Sequence, residues 1–168
     1  MLEISNLSKT YTGNKEKTLD HITFSFPDRG LYYIIGSSGS GKTTFLSLIG
    51  GMDYEYEGSI RYNGKELKEK NEIEKADYRL FNIAFAFQDN KSNDRETVKD
   101  CILRSVELLS LSQTEKERRM DDYLKRLSLM DKKDRRMESL SGGERKRISL
   151  IRALVKDSSI LLCDEPLS

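Results

Sequence analysis

"GSSGSGKT", Gly36 to Thr43, decides how the rest of the chain is read. An apolar run, Leu31 to Ile35, stops at Gly36. Gly36 opens a run of six small residues that ends at Gly41, and Lys42, Thr43 and Thr44 lead into Phe45 and Leu46. The stretch fits the pattern G-x-x-x-x-G-K-S/T at every position. Backbone N–H groups can ring a phosphate only where no Cβ blocks the approach, so such a loop is built from glycine and serine. A helix starting at about Thr43 points its free N–H groups and positive dipole end at the same anion. Lys42 is then placed to reach the β- and γ-phosphates of a nucleotide, and the Thr43 hydroxyl to coordinate Mg²⁺. Gly36, Ser37, Ser38, Gly39, Ser40, Gly41, Lys42, Thr43 and Thr44 are therefore the candidate phosphate-binding residues. A plain glycine-rich turn has the same composition. The buried strand expected before this one, over Leu31–Ile35, and the helix after it favour the phosphate.

Working outward, Leu2, Ile4 and Leu7 begin a strand, and Ile22, Phe24 and Phe26 alternate with Thr23 and Ser25 until Pro27. The helix after the loop is expected to stop at Gly50-Gly51, and Asn63-Gly64 to make a hairpin turn. Glu66 to Lys75 is charged and expected to be helical and exposed. Asn82 to Phe87 is a short strand. Val98, Ile102, Val106 and Leu109 recur at helical spacing, as do Met120, Tyr123, Leu124 and Leu127 behind a capping box at Ser112–Glu115. A last helix over about 143–155 precedes "SSILLCDEP", a buried strand ending in acids. The order implies an α/β fold with an early antiparallel sheet and an inserted helical piece.

Two further stretches bear on chemistry. Asp164 and Glu165 stand at the end of that last strand. There one acid can hold Mg²⁺ through its water shell and the next can orient or deprotonate an attacking water. Without the glycine loop they read as two solvated acids. "LSGGERKRISLIRAL", Leu140 to Leu154, places Ser141, Gly142, Gly143 and Glu144 ahead of an amphipathic helix. A capping box accounts for Ser141 and Glu144. It does not account for two glycines that lower helix propensity and bare the N–H groups of a helix start, as a second anion-facing loop does.

Together these residues resemble the ATP-binding cassette (ABC) ATPases, whose signature is usually LSGGQ; Glu144 stands here for the glutamine. The resemblance runs the length of the chain. It implies a P-loop NTPase core with an N-terminal antiparallel β subdomain and an inserted helical subdomain. The core would comprise 1–88 and 141–168, and the insert about 89–140. Within the family, "ADYRLFNIAFAFQ" and "RETVKDCI" resemble the macrolide-export and lipoprotein-release exporters. Tyr11 resembles the aromatic that stacks on adenine, although a strand-edge tyrosine looks the same. Gln88 resembles the glutamine that senses Mg²⁺ and the γ-phosphate, although a surface amide would too. The resemblance thus implies ATP and Mg²⁺ as cofactors. Catalytic roles fall to Glu165, Lys42 and Gln88, and metal-binding roles to Thr43, Gln88 and Asp164. It implies a second cassette packed head to tail, with ATP between the glycine loop of one and the signature of the other, and a transmembrane permease that uses the motion. Relatives continue past this point with a strand carrying a histidine for the γ-phosphate. The chain is accordingly expected to be a cassette cut short, lacking the C-terminal strand or strands, that binds ATP but hydrolyses it poorly. Non-transport cassettes of iron–sulfur assembly, translation or repair type, or an inactive nucleotide-binding fragment, are the alternatives.

Composition bounds these expectations. The 168 residues suit one domain; 36% are hydrophobic and 34% charged. Lys plus Arg total 29 against 28 for Asp plus Glu, so no global field favours nucleic acid or anionic lipid. The basic clusters at Lys132–Arg136 and Arg145–Arg147 read as solvated helix faces. Cys101 and Cys163 read as small hydrophobes in a reducing compartment. His21 lies in an early strand, away from any metal-ligand spacing. Met1 leads into an alternating, acid-containing stretch rather than a secretory leader. No apolar run nears the roughly 18 residues of a membrane span. A cytoplasmic protein, held at the membrane's inner face through its permease, is expected.

Overall fold

The computed structural model describes residues 1–13, 15–86 and 94–164. The chain folds as two compact units, Met1–Tyr78 and Arg79–Ser168.

The first unit is built on a four-stranded antiparallel sheet. β1 (Leu2–Lys9) lies between β2 (Leu19–Phe26) and β3 (Glu57–Tyr62), and β4 (Lys65–Glu66) extends the sheet from β3. Ile4 pairs with Phe24 on one side and Ile60 on the other, so the centre of the sheet is apolar. The β3–β4 turn is Asn63-Gly64, both at positive φ (50° and 78°), which is the backbone that an Asn-Gly hairpin requires. Glu66 fastens this hairpin: its carboxylate accepts from the Tyr56 hydroxyl (3.0 Å), the Ile60 N–H (3.1 Å) and the Ser59 hydroxyl. α1 (Lys42–Ile49) follows the glycine loop and buries Phe45, Leu46, Leu48 and Ile49. It stops at Gly50-Gly51, Gly51 having φ 68°. α2 (Glu72–Asp77) begins at an Asn71–Glu74 capping box.

Several expectations change here. Leu31–Ile35 is not a strand, and it is exposed rather than buried on both faces, Tyr33 by 79% and Ile35 by 93%. An apolar run becomes a strand only where a neighbour completes the hydrogen-bond ladder, and no described residue pairs with this one. Tyr32 alone packs well, edge-on to Phe26 at 5.0 Å. β2 is also wetter than its alternation implies: Phe24 is exposed and Ile22 half-buried. The charged stretch from Glu66 is helical only from Glu72, because Glu66 belongs to β4 and Leu67 is buried.

In the second unit, β5 (Ile83–Ala86) and β6 (Ile160–Cys163) pair in parallel, from Ile83 opposite Ile160 to Ala86 opposite Cys163. Of β6 only Leu162 is fully buried, so this strand is less enclosed than its apolar run implies. α3 (Val98–Arg104), α4 (Gln113–Arg126) and α5 (Gly142–Leu154) share a core containing Val98, Ile102, Met120, Leu124, Ile148 and Ile151. α3 ends before Val106, which is buried from the turns that follow. α5 also meets the sheet, Ala153 packing with Ala84 and Ala86. The Lys156 ammonium, just past α5, holds the carbonyls of Ile83 (2.6 Å) and Arg79 (3.2 Å). Cys101 is in the helical core, and burial pushes its thiol up to about 11, which keeps it unreactive.

Candidate functional site: a glycine loop and a capped signature

The glycine loop is shaped by its backbone. Gly41 is the N-cap of α1 at φ 90°. A Cβ there would lie 2.7 Å from the Thr18 carbonyl oxygen, so the position admits only glycine without strain. At the loop's other end a Cβ on Gly36 would lie 2.5 Å from the Ser40 hydroxyl oxygen. The Ser40 N–H donates to the Ser37 carbonyl (3.2 Å) and the Phe45 N–H to the Gly41 carbonyl (2.8 Å), so loop and helix are joined without a side-chain cap. Lys42 turns back across the loop, its ammonium 2.9 Å from the Gly36 carbonyl and 2.8 Å from that of Ser37. A closely curved main chain, a helix start and one cation meet within nine residues. That donor set fits a phosphate tail, and the Thr43 hydroxyl beside it is the oxygen ligand type that Mg²⁺ prefers.

Tyr11 lies just past β1, 40% exposed, its hydroxyl 3.2 Å from that of Thr44 in the first turn of α1. Tyr11 and the helix that follows the glycine loop thus belong to one unit and touch.

In the second unit, Ser141 caps α5. Its hydroxyl accepts from the Glu144 N–H (3.3 Å), while the Glu144 carboxylate accepts from the Ser141 N–H (2.8 Å) and hydroxyl (2.9 Å). The Ser141 N–H and hydroxyl hold the Glu144 carboxyl below its ordinary value. The expected capping box is present. The two glycines are open as well: nothing lies within 4 Å of a Cβ placed on Gly142, and only the Arg147 guanidinium, at 4.0 Å, approaches one on Gly143. Asp164 follows β6, its N–H donating to the Ala86 carbonyl (3.1 Å), so it stands at the strand end as expected. Gln88 and Glu165 lie outside the described residues.

Two residues escaped the sequence. Arg145, read there as part of a solvated face, clamps the turn ahead of the signature. It donates to the carbonyls of Leu140 (3.2 Å) and Glu138 (3.1 Å) and pairs with Asp94 at 2.9 Å. Lys9 is buried beside Tyr11. Leu7, Ser8 and Lys9 are all buried at the end of β1, so strand alternation gave no signal for this lysine.

The ABC transporter family profile matches residues 19–168, which includes the glycine loop, the signature and the strand-end acids. The chain belongs to the ABC transporter family. It is an ATP-binding domain of that family, with its mixed α/β cassette fold. It is 33% identical over 168 residues to the methionine import ATP-binding protein MetN of Clostridioides difficile, covering 100% of this chain and 51% of the relative. It is 32% identical to the bacitracin export ATP-binding protein BceA of Halalkalibacterium halodurans, covering 99% of this chain and 66% of that one. The cassette therefore spans about half to two thirds of the length of these curated relatives. Among solved structures it resembles the ATP-binding cassette MJ0796 in a dimeric, post-hydrolysis state with ADP and Pi. The TM-score is 0.86 at 27% identity, over 99% of this chain and 75% of that one. Among the described residues no helix is long and apolar enough to cross a membrane.

Proposed function

We propose that this chain is the ATP-binding part of a membrane exporter, converting ATP binding and hydrolysis into motion of a permease at the inner face of the membrane. The observation that carries the nucleotide assignment is the Gly36–Thr43 loop, where Gly41 opens a helix start and Lys42 bends over the main chain. Bound Mg·ATP supplies the reactive phosphoryl group and the cation that offsets its charge. The chain's own groups do the rest. Main-chain N–H groups of the loop would hold the phosphates, and the Lys42 ammonium would offset the charge of their outer oxygens. The Thr43 hydroxyl would give the metal a protein oxygen, and on the sequence Asp164 would serve it through its water shell. Tyr11 takes the base. On the sequence, Gln88 would face the metal and the outer phosphate, and Glu165 would accept the proton of an attacking water.

The signature acts on a second copy. Gly142 and Gly143 are open outward at the start of α5, with Arg145 and the capping box fixing their backbone. That arrangement suits a phosphate presented from outside, and the solved relative is a dimer with ADP and Pi. Head-to-tail pairing is the geometry that uses both loops. Export is supported by the "YRLFNIAFAFQ" resemblance and by the BceA relative; the MetN relative keeps import as the second reading. Residues 1–168 on their own are expected to bind ATP and turn it over slowly. Their one histidine, His21, is exposed on β2 beside Asp20, in a sheet edge rather than at a phosphate loop.

The test is calorimetry with Mg·ATP. The parent chain is expected to bind, and Lys42→Ala to lose roughly tenfold or more in affinity, because a charge-assisted phosphate contact disappears. Equal affinity in the two proteins contradicts the role of Lys42.

A further inference from the structure

Lys9 is an unusual residue for the end of a sheet strand. Its side chain is only 4% exposed. Its ammonium donates to the Glu55 carbonyl (2.6 Å) and pairs with Asp53 at 2.8 Å. Both partners belong to the segment between α1 and β3, so the lysine joins β1 to the stretch that leaves the phosphate-loop helix. The same ammonium lies 4.9 Å from the centroid of the Tyr11 ring. The ring is held on two sides: Lys9 beneath one face, and the Thr44 hydroxyl at its phenolic end, 3.2 Å away. It nevertheless keeps 40% of its surface in solvent.

Buried lysines are costly unless fully partnered, and an apolar side chain would anchor the strand at less cost. What the ammonium adds is a charge against an aromatic face. A cation within about 6 Å of a ring centroid is attracted to the ring's negative quadrupole and draws electron density toward itself. The opposite face becomes poorer in electrons and a better partner for an electron-rich purine. The contact also fixes the ring plane, so a base meets a platform that is already ordered.

We propose that Lys9 is a positioning and specificity residue for the nucleobase: it holds and polarises the Tyr11 ring so that the ring's other face stacks a purine. This rests on the assignment of Tyr11 to the base. Lys9 does not touch the nucleotide and contributes nothing to the phosphates, which belong to the 36–44 loop.

The two contributions separate by measuring affinity for Mg·ATP and for Mg²⁺ with inorganic tripolyphosphate on the same protein. Lys9→Met is expected to weaken ATP roughly three- to tenfold while leaving tripolyphosphate unchanged. Lys9→Arg, which keeps a cation over the ring, is expected to retain the parent ratio. If both ligands weaken together in both variants, Lys9 is a structural anchor and the proposal fails. It fails equally if neither ligand is affected in Lys9→Met. Should Lys9→Met not fold, Asp53→Asn decides: the cation stays, so the parent ratio is expected, and a lost ratio assigns the effect to the ion pair instead. Tyr11→Ala tests the underlying assignment separately. It is expected to bring ATP affinity down toward that of tripolyphosphate; an unchanged ratio there overturns the base assignment itself, and Lys9's role with it.

Discussion

Gly41 concentrates what single residues contribute. It is in the left-handed region at φ 90°, it opens α1, and its missing Cβ is what keeps the Thr18 carbonyl at close approach. Gly41→Ala therefore combines backbone strain with a clash against main chain, which does not yield as a side chain end would. We expect it to cost about 1–3 kcal/mol of stability, read as a lower urea midpoint, and to weaken Mg·ATP as the loop is displaced. A variant as stable as the parent contradicts the loop conformation. This residue was legible in the sequence because the requirement is a main-chain one: glycine at that spacing has few other uses. Lys9 was not legible. Its partner Glu55 is 46 residues away, and no local pattern shows that a lysine and a carbonyl so far apart will meet.

At the scale of elements, short-range chemistry was readable and pairing was not. Asn63-Gly64, Gly50-Gly51 and the Ser141–Glu144 box each act within a few residues, and each is where the sequence puts it. The Val98–Leu109 periodicity correctly marked burial, yet α3 stops at Arg104, since a buried position can be filled from turns as well as from a helix. Leu31–Ile35 failed for the opposite reason: its composition suits a strand, but a strand exists only with a neighbour. α4 offers a test of local electrostatics. Ser112 caps it, but the Glu115 carboxylate bonds to Arg118 (2.8 and 2.9 Å) and Arg119 (2.8 Å) rather than closing a capping box. These hydrogen bonds hold its carboxyl at about 2, below the ordinary 4.5. Its contribution is therefore complete above pH 4.5 and fades as pH falls toward 2. Glu115→Gln is expected to flatten the fall in urea midpoint across that window and to leave the dependence at higher pH unchanged. Parallel curves for the two proteins contradict the pairing.

At the scale of the whole molecule, charge and exposed apolar surface act together. The net charge is +1, so little electrostatic repulsion keeps copies apart. Leu31, Tyr33 and Ile35 meanwhile offer a short, exposed, strand-forming stretch without a charge. Concentration-dependent association is expected near neutral pH. Leu31→Lys with Tyr33→Lys is expected to reduce it in static light scattering, and undiminished association would remove this stretch as its cause. The family, the α/β fold and the places of the glycine loop and the Ser141–Glu144 cap were legible, since they depend on short runs at fixed order. The division into two units, Met1–Tyr78 and Arg79–Ser168, was not, because it depends on which strands find partners.

The central claim is that main-chain N–H groups between Gly36 and Thr44 grip the phosphate tail of ATP. Backbone amide NMR of the 168-residue chain, titrated with Mg·ATP, tests it most directly. We predict that the largest saturable shifts fall on the amides of Gly36–Thr44, and that Mg²⁺ with tripolyphosphate reproduces them. Saturable ATP binding that leaves those amides unmoved, with its shifts elsewhere, would contradict the account.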